Sequence, residues 1–290
     1  MTRSGPMVLT ILVFVGGSRL LDAGQPDPRV SDVVFVAKCD GTEQRYVLML
    51  PAEFKTDAAH DLLLVLHGHG SDRWQFVRDG RDECRAARDA AAEHGMIYVS
   101  PDYRAKTSWM GPKAEADMVQ IIAELKQRYR VSRAFLCGGS MGGTASLSFA
   151  ALHPELIDGV ASMNGTANLL EYENFQDAIR ASFGGTKAEI PLEYKRRSAE
   201  YWPERLTMPV GLTASGKDTS VPPESVLRLA NVLKAVGRDP LLIYREDRGH
   251  STQYADGRAI LEFVIRKARD SSRDPATASG RGTAARVPCR

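Results

Sequence analysis

The chain is poor in cysteine and tryptophan and has no excess of either charge. Four cysteines in 290 residues fall far short of a disulfide-dense scaffold, and they do not settle the redox compartment. A formal net charge of +2 gives no reason to expect nucleic acid as a partner. No internal repeat is evident, which sets aside solenoid architectures. No apolar run is long enough to span a bilayer comfortably, and no stable membrane partner is expected. With 26% charged and 43% hydrophobic residues, the composition is that of an ordinary globular protein, at a length that one α/β domain can use.

The longest apolar run near the N-terminus, Met7 to Val15, follows Arg3 and has the character of a signal-peptide core. A cut near Leu21-Asp22-Ala23 makes residues 1–23 a signal peptide and the protein an exported one, periplasmic or secreted. Arg19 and Asp22 make that cleavage region imperfect, and an uncleaved N-terminal membrane anchor is the alternative. Cys137 reads as a small buried apolar residue, while pairing of Cys39 with Cys84 stays open. Residues 270–290 are rich in Ser, Gly, Ala, Arg and Pro without an apolar period and are expected to form a disordered tail.

What the chain does contain is Gly138-Gly139-Ser140-Met141-Gly142, a G-x-S-x-G motif. Ala134 to Cys137 before it reads as a buried strand, and Thr144 to Leu152 after it as a helix. That context defines a nucleophile elbow: small flanking residues let the chain double back and leave the serine alone at a strand end. A serine hydroxyl needs a base to take its proton. In elbow hydrolases the chain order is Ser, then Asp or Glu, then His. Of six histidines only His153 and His250 follow Ser140. His153 ends the helix that starts at the elbow and is carried away from it. His250 follows the apolar run Leu241 to Tyr244 and is the expected base. Asp218, in the loop after the run Pro209 to Thr213, is the expected acid. Asp247 and Glu246 are rivals with a short reach to His250, and Asp102 follows a strand but precedes the serine.

An oxyanion needs two N–H donors. Met141, the residue after the nucleophile, supplies one. The second is expected from His67-Gly68-His69-Gly70, which follows the apolar strand Leu62 to Leu66; His69 is preferred, with Gly70 as the alternative. A metal at His67 and His69 would need further ligands, and neither metal nor cofactor is expected.

Strand-like and helix-like runs alternate along the chain, which implies a mostly parallel sheet flanked by helices. Val33 to Cys39 and Arg45 to Pro51 are expected to open it as an antiparallel pair. The stretch near 166–203 breaks the alternation, carries several aromatics, and is expected to form a small cap insertion. Trp109, Asn164, Tyr172 and Trp202 are candidate substrate-binding residues. The basic run Lys195-Arg196-Arg197 is expected to be a solvated helix face.

On the motifs around His67, Ser140, Asp218 and His250, the chain resembles serine hydrolases of the α/β-hydrolase superfamily, over about Gln44 to Arg269. Within it the chain resembles the prolyl-oligopeptidase-like and secreted esterase branches, the latter including acetylxylan, feruloyl and polyester esterases. The resemblance implies an α/β-hydrolase domain over 30–269 and a Ser-His-Asp triad acting through an acyl-enzyme. A carboxylic ester, small or polymer-linked, is the expected substrate. The segment before the first core strand is too short for the β-propeller of large prolyl oligopeptidases, which counts against oligopeptidase activity. A prolyl-oligopeptidase-like peptidase is the alternative, and a non-catalytic binding protein on the same fold the more distant one.

Overall fold

The computed structural model describes residues 29–271. The expected signal segment and all but the first two residues of the expected tail lie outside that range. Eight strands form one sheet: β1 (Val30–Val36), β2 (Glu43–Met49), β3 (His60–Leu66), β4 (Ile97–Pro101), β5 (Val131–Gly139), β6 (Gly159–Met163), β7 (Val210–Ser215) and β8 (Leu241–Arg245). Their spatial order is β1-β2-β4-β3-β5-β6-β7-β8. The β1–β2 and β2–β4 pairs are antiparallel, and all pairs from β4 to β8 are parallel. The helices are α1 (Gln75–Arg78), α2 (Asp82–Glu93), α3 (Pro112–Arg128), α4 (Met141–Leu152), α5 (Gln176–Phe183), α6 (Pro191–Arg196), α7 (Glu224–Ala235) and α8 (Tyr254–Ser271).

The central strands are apolar on both faces because both faces are covered. Successive side chains of a strand point to opposite sides. Leu62, Leu64 and Leu66 of β3 accordingly join a core with α3, α4 and α7. Leu63 and Val65 join the opposite core with α2 and α8. Cys84 and Cys137 both lie in that second core, and burial pushes the Cys84 thiol up to about 12. Cys39 sits elsewhere, 3.3 Å from an Arg104 nitrogen, so no disulfide joins it to Cys84.

Register then decides which loops meet. Leu66 is opposite Gly138, Gly139 opposite Met163, Met163 opposite Thr213, and Ser215 opposite Arg245. The segments following β3, β5, β6, β7 and β8 therefore leave the sheet along one carboxyl edge. β3 lies between β4 and β5, so the strand order reverses beside it, and a crevice at such a reversal is where open α/β sheets bind ligands.

Between β6 and β7 the chain forms α5, α6 and two turns of 3-10 helix at Ala199–Tyr201 and Pro203–Arg205. This segment is bolted down by buried charge, which corrects the reading of Lys195-Arg196-Arg197 as a solvated face. Arg197 is 1% exposed. Its guanidinium donates to Glu193 Oε1 at 2.7 Å, to Glu115 Oε2 at 2.7 Å and to the Met110 carbonyl at 2.6 Å. Arg196 and His153 also contact Glu115 Oε1, at 2.7 and 2.9 Å. The partners Met110 and Glu115 are far away in sequence, so composition alone could not reveal them.

Burial would raise the Glu115 carboxyl, but the His153 hydrogen bond and the charges of Arg197 and Arg196 outweigh it and hold its pKa at about 2, against 4.5 when unperturbed. Because the folded value is depressed, the stabilisation is complete above about pH 4.5 and disappears as pH falls through 2. We predict that Glu115→Gln costs about 3 kcal/mol at neutral pH. Denaturant melts of both proteins at intervals from pH 7 to 2.5 should show a constant gap down to about pH 5 and a narrowing gap below. A gap that does not change with pH would show that Glu115 is not held ionised.

Candidate active site

The elbow is built by close contact. A Cβ on Gly142 would collide with the Leu66 carbonyl oxygen, and one on Gly138 would lie 2.5 Å from the Gly142 carbonyl carbon. Only glycine lets the first turn of α4 press this tightly against β3 and β5. Ser140 takes up the resulting bend with φ 58° and ψ −119°, a conformation sparsely populated by residues other than glycine. Its N–H is anchored to the Met163 carbonyl at 2.8 Å.

Ser140 Oγ lies 2.8 Å from His250 Nε2. His250 Nδ1 lies 2.6 Å from Asp218 Oδ2. Asp218 is 4% exposed, and its other oxygen accepts the N–H groups of Ser220 and Val221 at 3.0 and 2.8 Å. Burial pushes its carboxyl up, but the hydrogen bonds from His250 and Val221 prevail and hold it below the usual carboxylate value. An ionised Asp218 at Nδ1 leaves Nε2 as the nitrogen able to accept the Ser140 proton. Asp247 is not the group at Nδ1. His153 is elsewhere, against Glu115.

Asn164 lies among these groups, not on the open surface. It leaves β6 at φ 49°, a left-handed conformation asparagine tolerates. Its Nδ2 donates to Ser215 Oγ at 2.8 Å and to Asp218 Oδ2 at 3.4 Å. Its Oδ1 accepts Thr213 Oγ1 at 3.0 Å and Thr252 Oγ1 at 2.7 Å. One amide thus ties β7, the acid and the loop of His250 together.

At the other end of the site, Met141 opens α4, where a helix leaves N–H groups without internal acceptors. In the 67–70 loop, Gly68 donates its N–H to Gln75 Oε1 at 2.7 Å and Gly70 donates to the Lys106 carbonyl at 2.7 Å. Gly70 is thereby committed, and the His69 N–H has no hydrogen bond among the described residues. The loop is held by Tyr103, whose hydroxyl donates to the His67 carbonyl at 2.6 Å, and by Arg73, which bridges Asp32 and Asp102. Trp109 Nε1 donates to His69 Nδ1 at 3.1 Å, so the His69 proton sits on Nε2, and burial holds this imidazole below its ordinary pKa.

A cavity of about 360 Å³ opens beside Ser140 and is walled by Gln75, Phe76, Asn164 and the loop of His250, together with the start of α2. Trp109, Tyr172 and Trp202 do not line it. Trp109 is fully buried, its ring tilted against those of Tyr172 and Phe175 with centroids 5.5 Å away. Tyr172 is buried with its hydroxyl on the Ser220 carbonyl at 2.7 Å, pinning the insertion to the acid's loop. Trp202 donates to the Lys195 carbonyl at 3.0 Å beneath Arg205. Phe175 and Tyr201 are each 40% exposed, and of the two it is Phe175 that lies beside the site, 4.4 Å from the His69 ring. Gln75, Thr213, Ser215 and Thr252 carry no motif that marks them in sequence. Arg248, on the cavity wall, had only its nearness to His250 to recommend it.

Residues 88–268 match the prolyl oligopeptidase family. The chain belongs to that family. No curated protein matches it. Puromycin hydrolase is similar in structure, with TM-score 0.68 and 19% identity over 88% of this chain and 41% of that one. The acylaminoacyl peptidase of Pyrococcus horikoshii has TM-score 0.64 and 17% identity over 82% of this chain and 42% of that one. An S-formylglutathione hydrolase from Agrobacterium tumefaciens has TM-score 0.63 and 15% identity over 82% of this chain and 94% of that one. The chain thus spans about two-fifths of those two longer hydrolases. At these identities the likeness is one of fold, the α/β-hydrolase fold. This family member has an eight-stranded, mostly parallel sheet.

The Asn164 network carries a stability consequence. Asn164→Ala should cost about 1–3 kcal/mol, because it removes the acceptor shared by the buried Thr213 and Thr252 hydroxyls, only one of which can then donate to the other. Asn164→Gly, which suits the left-handed backbone but also lacks the amide, should lose a comparable amount in denaturant unfolding. Wild-type stability in the glycine variant would mean that backbone conformation, not the amide, is what matters there.

Proposed function

We propose that the protein hydrolyses carboxylic esters by two-step acyl transfer. The observation that carries this reading is the hydrogen-bonded line from Ser140 through His250 to Asp218, at 2.8 and 2.6 Å. Ser140 attacks the ester carbonyl while His250 Nε2 takes its proton. Asp218 holds the imidazole in the required tautomer and stabilises the imidazolium. The N–H groups of Met141 and His69 receive the oxyanion. His250 then returns its proton to the leaving alcohol, and water, activated by the same imidazole, cleaves the acyl-enzyme. The ester reading is supported by similarity to an S-formylglutathione hydrolase, 94% of which this chain covers. The second reading, a peptidase, is favoured by the family match and by the acylaminoacyl peptidase. Short acyl esters assayed against aminoacyl-proline amides separate the two: faster amide cleavage would replace the first reading by the second. The apolar run at residues 7–15 supports an exported enzyme.

Ser140→Ala should lower kcat on the order of 10⁶-fold and leave the fold intact. Asp218→Asn should cost about 10⁴-fold, and Asp247→Asn far less. More than a tenth of wild-type activity in folded Ser140→Ala would end the assignment, and the reverse ranking of the two aspartates would exchange their roles.

Phe175 is proposed to border the acyl group, because it is exposed beside the His69 loop. Phe175→Ala should change the ratio of kcat/KM for octanoyl and feruloyl esters over acetyl ester by about 10- to 200-fold. If every ester scales alike, the ring is structural.

A further inference from the structure

The cavity beside Ser140 has a charged wall that acyl transfer itself does not use. It is formed by Arg81, Asp82 and Glu83 at the start of α2 and by Arg248 in the loop after β8. Three of these charges are answered by neighbours. Arg81 donates twice to Asp79 Oδ2, at 2.8 and 2.7 Å. Glu83 lies 3.8 Å from Arg81, and Asp82 lies 3.6 Å from Arg85. The Arg248 guanidinium has no hydrogen bond or ion pair among the described residues. Its backbone, by contrast, is held. Its N–H donates to the Arg245 carbonyl at 3.3 Å, and its carbonyl accepts the Lys217 N–H at 2.8 Å. A guanidinium without a partner thus stands on a braced loop, two positions before His250, on the wall of the cavity that holds Ser140.

We propose that Arg248 is a specificity residue that recognises a carboxylate on the leaving group of the substrate. The side of the scissile bond follows from proton transfer. His250 must reach the departing atom, and the cavity is bounded by His250 but by neither Met141 nor His69, the residues of the oxyanion donors. The charge follows from the pairing. With Arg81, Asp82 and Glu83 already facing opposite charges, Arg248 is what an incoming group meets unanswered. Its planar fork suits a carboxylate with two parallel hydrogen bonds. Because the side chain is exposed, the selectivity should weaken as salt screens it.

This inference rests on Ser140 being the nucleophile, and the test is chosen to be independent of whether the substrate is an ester or an amide. Two diethyl aryl phosphates are compared, one releasing 4-hydroxybenzoate and the other its methyl ester. In each, Ser140 Oγ forms the new bond to phosphorus, its proton passes to His250, and the bond from phosphorus to the aryl oxygen breaks to release the phenol. The readout is the ratio of second-order inactivation constants, carboxylate over methyl ester, within each protein. Comparing proteins by this ratio cancels the intrinsic difference between the two phosphates. Arg248→Ala should lower the ratio about 10- to 100-fold relative to wild type. Arg248→Lys should lower it less, and high salt should shrink the wild-type ratio. Equal ratios in wild type and in Arg248→Ala, with both proteins folded by thermal melt, overturn the proposal. If neither phosphate adds mass to wild-type protein beyond a Ser140→Ala blank, the nucleophile assignment fails and takes this inference with it.

Discussion

The close approach of α4 to the end of β3 is the constraint from which the rest of the site follows. Leu66 pairs with Gly138, and the first turn of α4 folds back over both. A methyl group at Gly142 would drive the helix away from β3. Ser140 would then lose its bend, and with it the distance to His250. The 67–70 loop would also lose its place beside the elbow, because it leaves the same strand end. Sterics at two glycines therefore set the geometry of Ser140 and of the 67–70 loop together.

A second layer fixes the acid and base relative to that elbow. Asn164 emerges one strand over from Ser140, since Gly139 is opposite Met163. From there its side-chain amide reaches Thr213 and Ser215 of β7, Asp218 and Thr252. Farther out, the Glu115–Arg197 cluster anchors the insertion beneath Met110, while Tyr172 ties it to the acid's loop. The insertion is thus rigid where it meets the triad's supports and exposed at Phe175.

Much of the fold could be read from sequence because its signals are local. The strand at Gly159–Met163 and the helices around α2, α3, α4, α7 and α8 show as apolar runs, periodic faces and glycine punctuation. Ser140, Asp218 and His250 were each legible as a polar residue just past such a strand. Short or long-range features were not. α1 has four residues, and α5 and α6 follow no long apolar period. Arg197 looked solvated because its partner Glu115 is 82 positions away. Tyr172 and Trp202 in the insertion, and Trp109 after the strand that ends near Ser100, looked like pocket walls because an aromatic carries no sign in sequence of whether its polar tip is already hydrogen-bonded to the backbone or to a neighbour. Thr213, Ser215 and Thr252 have ordinary neighbours, and only the sheet register brings them to Asn164.

The order of strands also distributes the triad unevenly across the sheet. Ser140 follows an interior strand, and Asp218 follows β7, which is paired on both sides. His250 follows β8, an edge strand that pairs in the sheet with β7 alone and is partly open to solvent along its length. A molecule that releases only Leu241–Arg245 keeps Ser140 and Asp218 in place and loses the position of His250. The proposed catalysis is therefore tied to the fraying of one margin of the sheet, a local equilibrium of the kind that lies below global unfolding in free energy.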